Sequence, residues 1–227
     1  MPIRRLHRWA VTPREAVAIQ RRLAARVVLE PPPGHRVRTV AGLDCAFGAG
    51  RIFAAAVVLR LPGLVETERV VVSMRIPFPY IPGLLSFREA PALARALRRL
   101  SRAPDLLLVD GQGLAHPRRM GLACHVGLLA GIPTVGVAKS VLVGTYDPPP
   151  RPAGSWTPLL DRGETVGAAL RLRDGGAPVF VSPGHLCALA AAVRWVTACA
   201  AGHRLPEPTF AADRAVGEAA RAARARR

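Results

Sequence analysis

The chain has 227 residues, half of them hydrophobic, which is enough for one domain with a full core. Its 32 lysines and arginines face only 15 acidic residues, and the resulting charge of +17 suits a polyanionic partner and argues against an enzyme of neutral sugars. No apolar run is long enough to span a membrane, and no signal peptide follows the N-terminal arginines, so the expectation is a cytoplasmic protein with no membrane association. Lys139 is the single lysine in a chain rich in Ala, Arg, Gly and Pro, so part of the arginine content is coding bias. The four cysteines, at 45, 124, 187 and 199, show no metal-ligand spacing and read as small buried hydrophobes in a reducing compartment.

In chain order, Thr12-Pro13-Arg14-Glu15 has the form of a capping box that opens a helix. Ala16, Ile19, Leu23 and Val27 make its apolar stripe, and the prolines at 31–33 end it. Three strand-like segments follow at hairpin spacing, at about 37–47, 51–61 and 67–76, and read as an antiparallel meander. Asp44 interrupts the first of these between Leu43 and Cys45. A carboxylate inside an apolar strand needs a partner or a metal, unless it faces solvent from an edge strand.

Residues 77–85, PFPYIPGLL, form a loop stiffened by three prolines yet apolar. It reads either as a wedge or stacking platform for bases, or as a loop folded back over the core. Pro91 is expected to start the next helix, over 91–100, which leaves Glu89 free at its mouth.

The stretch 104–119, PDLLLVDGQGLAHPRR, is the one around which the chain is organised. LLLV fits a strand buried on both faces. Asp110 follows it and is either a rim carboxylate able to meet a cation or the cap of an Asp-Gly turn. A short apolar helix over 121–130 and a second buried strand, 133–138, complete a βαβ unit that brings Lys139 to the same sheet edge as Asp110. Beyond a proline-rich loop (147–155) the expectations are a hairpin (166–171 with 179–182) and a helix over 186–201. His185 reads as structural, and 204–213 as a loop carrying Glu207 and Asp213. A basic tail from about 214, ending in 221–227, is expected to be solvated and to help hold DNA non-specifically.

The order β-β-β-α-β-α-β predicts a single α/β domain with a ribonuclease H-like mixed sheet, in which an antiparallel three-strand meander is followed by parallel strands and flanked by helices. In that sheet Asp44 and Asp110 are neighbours, with Glu89 between them. Carboxylates sharing one crevice need a cation, and oxygen-only ligands suit Mg²⁺ or Mn²⁺. A basic protein with such a cluster is a nuclease candidate; a noncatalytic nucleic-acid-binding module is the alternative from another class.

GLDCAFG, PYIPGLLSFRE, LLLVDGQGLAHPRRMGLACHVGLL, IPTVGVAKS and RLPEPT resemble the signature blocks of the endonuclease V (deoxyinosine 3′ endonuclease) family, in order, from about Thr12 to Asp213. The resemblance implies Mg²⁺-dependent hydrolysis, with Mn²⁺ able to substitute, of the second phosphodiester 3′ to deoxyinosine in DNA, by a monomer. Inosine-containing RNA remains an alternative substrate. It further implies that Asp44, Glu89 and Asp110 bind metal, and that His116 and Lys139 are catalytic residues near the scissile phosphate. Tyr80 would be the wedge, with Pro79, Ile81 and Pro82 beside it, and Gly83, Leu85 and Gly111 would line the lesion pocket. Asp213 falls where the family carries an acidic residue or a histidine near the metals, and is an accessory candidate.

Overall fold

The computed structural model describes residues 1–225. α1 (Pro13–Ala24) begins as its sequence dictates: the Thr12 hydroxyl accepts from the Glu15 amide at 3.3 Å, and the Glu15 carboxylate accepts from the Thr12 amide at 2.7 Å. Ala16, Ile19 and Leu23 face inward together with Gln20, and the helix stops well before the prolines. Val27 packs against the same cluster from the following loop.

β1 (Thr39–Gly48), β2 (Arg51–Arg60) and β3 (Val65–Arg75) form the expected meander. β4 (Leu106–Asp110) lies parallel to β1, with Val109 opposite Leu43. α3 (Leu122–Ala130) then crosses to β5 (Thr134–Ala138), parallel to β4, and Gly131 ends that helix in the left-handed region at φ +67°. The expected hairpin is present as β7 (Glu164–Leu170) and β8 (Val179–Pro183), with β8 antiparallel to β5. The sheet order is β3-β2-β1-β4-β5-β8-β7, extended by one strand the sequence reading omits, β6 (Trp156–Asp161), at the far edge. β6 contains Pro158, which argues against a strand in sequence but is tolerated on an edge.

Three helix readings change. α2 spans Leu85–Arg98, so Pro91 lies inside it and Glu89 sits on its second turn rather than free at its mouth. Phe87, Ala90, Leu93, Ala94 and Leu97 are buried on both sides of the proline. Continuous burial of that face offsets the roughly 3 kcal/mol that an interior proline costs. α4 covers Leu189–Ala198, shorter than expected. Residues expected to form a loop and then a solvated tail instead form α5 (Glu207–Ala225); the last two positions of the expected tail, 226 and 227, lie outside the described residues. Ala211, Ala212, Ala215, Val216 and Ala220 pack against Phe53, Ala55, Val57 and Leu59 of β2. Small side chains let the helix lie close, and at Gly42 a Cβ would stand 1.8 Å from the Pro208 carbonyl oxygen.

Alternation along β1 sorts the two layers. Ala41 and Leu43 face a core built with α2 and α3. Gly42 faces α5, so Asp44, two residues on, points to the α5 side as well. α1 packs outside α2 and α3, over Phe78, Leu84, Phe87 and Met120. No helix among the described residues is long and apolar enough to cross a membrane.

Candidate active site

β1 outruns β4: its last β4 pairing is Leu43 with Val109, and it continues from Asp44 to Gly48. The sheet is thus notched where β4 ends at Asp110. Lys139 follows β5 directly, and Asp213 comes from α5 above the same notch. Oxygens of Asp44, Asp110 and Asp213 lie within 4.8 Å of one another. Lys139 Nζ stands 2.7 Å from Asp110 Oδ2 and 3.0 Å from Asp213 Oδ1. Asp44 Oδ1 accepts from the Cys45 amide at 2.7 Å. Glu89 is outside this trio. It approaches from α2, on the opposite layer, and its charge acts on Cys45, the β1 residue that faces that layer.

Burial makes the cluster electrostatically demanding. It pushes the Asp44 carboxyl up to about 8, with the Asp110 charge adding and Lys139 opposing. Burial, then the Asp110 charge, likewise raises Glu89 to about 8. Asp110 is also raised by burial, against the pull of Lys139. For Lys139 burial favours the neutral amine, but the surrounding carboxylates override it and hold the ammonium firmly charged. These groups crowd negative charge into a space that one lysine neutralises only in part. An oxygen-only set this close fits a hard divalent cation.

The cluster lines a cavity of about 420 Å³, within the range of small-ligand sites. Glu89, Lys139, Gly83, Leu85, Gly111 and His116 contribute to the same wall, as do Tyr80, Ile81 and Pro82. Pro79 is exposed and is not part of that wall. Tyr80 is 70 % exposed, whereas Phe78 and Leu84 in the same loop are buried against α1 and α2. The loop is thus folded back over the core at Phe78 and Leu84, while Tyr80 projects into solvent.

His116 is only 3 % exposed and has both ring nitrogens engaged. Nδ1 accepts from the Arg118 amide at 3.1 Å, so Nε2 carries the proton and donates to the Gly83 carbonyl at 3.0 Å. Burial pushes its pKa down to about 4. This imidazole ties its own segment to the Gly83 loop. Sequence reasoning passed over Leu142, which lines the cavity and is 43 % exposed, and Gln20, which is 1 % exposed and also lines it. Gln20 could have been found, because it is a polar residue at helical spacing within the stripe Ala16, Ile19, Leu23.

A family model described as Endonuclease V matches residues 21–214. The endonuclease V of Roseiflexus sp. (strain RS-1) is 52% identical over 205 residues, covering 90% of this chain and 92% of that protein. A crystal structure of endonuclease V from Streptomyces avermitilis is similar at a TM-score of 0.89 and 43% identity, over 95% of this chain and 96% of that one. Ciona intestinalis endonuclease V, in complex with a 24mer DNA containing an inosine followed by a ribo-adenosine, shares the fold at a TM-score of 0.82 and 24% identity, over 92% of this chain and 97% of that one. Carried by a match that spans the notched sheet, the projecting loop and the acidic trio alike, this chain belongs to the endonuclease V family of nucleases.

Proposed function

We propose that this protein is a DNA repair endonuclease that recognises deoxyinosine and hydrolyses the second phosphodiester bond 3′ to it, leaving 3′-hydroxyl and 5′-phosphate ends. One observation carries the reading: the acidic trio and the exposed Tyr80 loop border the same cavity. Inosine is also the base named in the DNA of the Ciona complex.

Tyr80 fills the gap that the lesion base leaves, with Ile81 and Pro82 stiffening its approach and Pro79 outside the cavity wall. A mispaired base costs least to extrude, and it enters the cavity beside Gly83, Leu85 and Gly111. Asp44, Asp110 and Asp213 would hold a magnesium or manganese ion, with Glu89 at its flank. When bound, such an ion would supply an activated nucleophile near neutral pH and would offset charge on the phosphate. Lys139 then turns its ammonium to the scissile phosphate as charge develops there. His116 acts through Gly83, as a positioning residue. The charge of +17 draws the duplex in from a distance.

The test is cleavage of end-labelled duplexes with and without one inosine, and of the matching RNA, in Mg²⁺, Mn²⁺ or chelator. Expected are a single cut in the inosine strand, with either metal, and silence in chelator. Cleavage that ignores inosine, or persists in chelator, overturns the reading; preference for the RNA moves the substrate to RNA.

A further inference from the structure

The Gly83 carbonyl oxygen receives three donors: Gln20 Nε2 at 3.0 Å, His116 Nε2 at 3.0 Å and Arg118 Nη2 at 2.6 Å. A carbonyl has two lone pairs, so this oxygen is saturated by the protein. Gln20 does more than donate once. Its Nε2 also reaches the Met120 carbonyl at 3.2 Å, and its Oε1 accepts from Arg118 Nε at 2.7 Å. One amide orientation satisfies all of these, because both carbonyls face Nε2 and a guanidinium N–H faces Oε1. Gln20 comes from α1, outside the two layers that carry the carboxylates, and it ties together two segments that both line the cavity, one ending at Gly83 and one running through 116–121. Gly83 is left-handed at φ +75°, and a Cβ there would stand 2.8 Å from Arg118 Nη2. The backbone that follows Tyr80 is therefore held at Gly83 by side chains whose hydrogen bonds go to this network rather than to the acidic trio. A buried amide with every polar atom bonded is costly to disturb and geometrically exacting.

We propose that Gln20 is a positioning residue for base recognition: it sets the separation between the Tyr80–Gly83 wall and the 116–121 wall, and so decides whether an extruded purine is gripped. The inference rests on the inosine-directed reading above, and its test separates the two. Gln20→Met removes all the polar contacts at nearly constant shape. Gln20→Glu keeps the Arg118 contact but sets an acceptor against two carbonyls, and serves if the Met variant fails to fold.

Two readouts are taken on the full chain in chelator. The first is hydrogen exchange of the metal-free, DNA-free protein, read on peptides covering residues 77–85 and 114–121. Exchange about tenfold faster there, and unchanged over β1, β4 and β5, is expected. Unchanged exchange at 77–85 overturns the proposal, whatever the substrate proves to be. The second is affinity for duplexes with and without inosine. The ratio of the two affinities falls about tenfold, while affinity for the undamaged duplex stays within about twofold. Parallel loss on both duplexes, or faster exchange with an unaltered ratio, makes Gln20 a structural tie only and also overturns the proposal. A parent protein that binds both duplexes alike overturns the inosine reading instead, and the exchange result still decides the clamp.

Discussion

The Lys139 ammonium lies 2.7 Å from Oδ2 of Asp110, a carboxylate of the acidic trio that could hold a divalent cation. Lysine and metal therefore compete for one carboxylate. Replacing Lys139 by Met should tighten binding of Mn²⁺ to the metal-free protein by up to about tenfold, the worth of one screened charge-assisted hydrogen bond. The same change should remove strand cleavage. Calorimetric titration reads the first effect, and unaltered or weaker metal binding would sink the idea of competition.

Asp44 offers a pH test. Burial and its neighbours raise it to about 8, against about 3.9 for a free aspartate, so the folded protein keeps a proton that the unfolded chain has released. Its contribution is full below the unfolded value and is lost as pH rises through the folded one. His116 acts with the opposite sign: it is pushed down to about 4 and loses stability as pH falls below its ordinary 6.5. Between about pH 6.5 and 8 His116 is silent, and Glu89, which acts with the sign of Asp44, is common to both proteins compared. In chelator, Asp44→Asn should be more stable than the parent at about pH 8.5, by on the order of 1–3 kcal/mol, with the gap narrowing towards pH 6.5. Thermal melts at the two pH values decide it, and a gap that widens towards low pH contradicts the assignment. Inosine-duplex binding should survive the substitution while cleavage does not.

Tyr80 is mostly in solvent, so Tyr80→Ala should leave stability within about 0.5 kcal/mol of the parent. Affinity for inosine-containing DNA should drop by about tenfold or more, the scale of one lost base–aromatic contact. Single-turnover cleavage at saturating protein should change less. Fluorescence anisotropy and quench-flow separate these effects, and undiminished affinity would remove Tyr80 from recognition.

Gly42 is where α5 meets β1. Since an added Cβ would fall 1.8 Å from the Pro208 carbonyl oxygen, Gly42→Ala must push the helix away. Denaturant unfolding should show a loss of about 2–3 kcal/mol. Metal affinity should fall as well, because Asp213 rides on the displaced helix. A variant that keeps both would mean that α5 can slide without consequence.

The parts of this fold that could be read from the chain are those where one local rule governs. β4 and β5 are buried on both faces, so they appear as unbroken apolar runs, LLLV and TVGVA, and the carboxylate and lysine at their ends stand out. α1 announces itself through Thr12 and Glu15. The misreadings fall where tertiary packing outweighs a local signal. Pro91 suggests a helix start, yet buried residues on both sides carry α2 through it. α5 looks like a charged tail because its inward face is written in alanine, spaced among arginines and glutamates, and alanine alone carries little hydrophobic contrast. Asp213 consequently reads as a loop residue in sequence, although the helix is what brings it to the trio. The family likeness points to His116 without revealing that its ring donates to the Gly83 carbonyl, since a partner 33 residues away leaves no spacing to read.

The late position of α5 has a consequence for biosynthesis. A ribosome has finished β1, β4 and β5 well before it reaches Asp213, and Gly42 has no helix against it until α5 emerges and docks. A nascent chain can thus carry Asp44, Asp110 and the Tyr80 loop while still lacking the third carboxylate. A translation product that stops before α5 therefore lacks Asp213, one of the three carboxylates of the cluster.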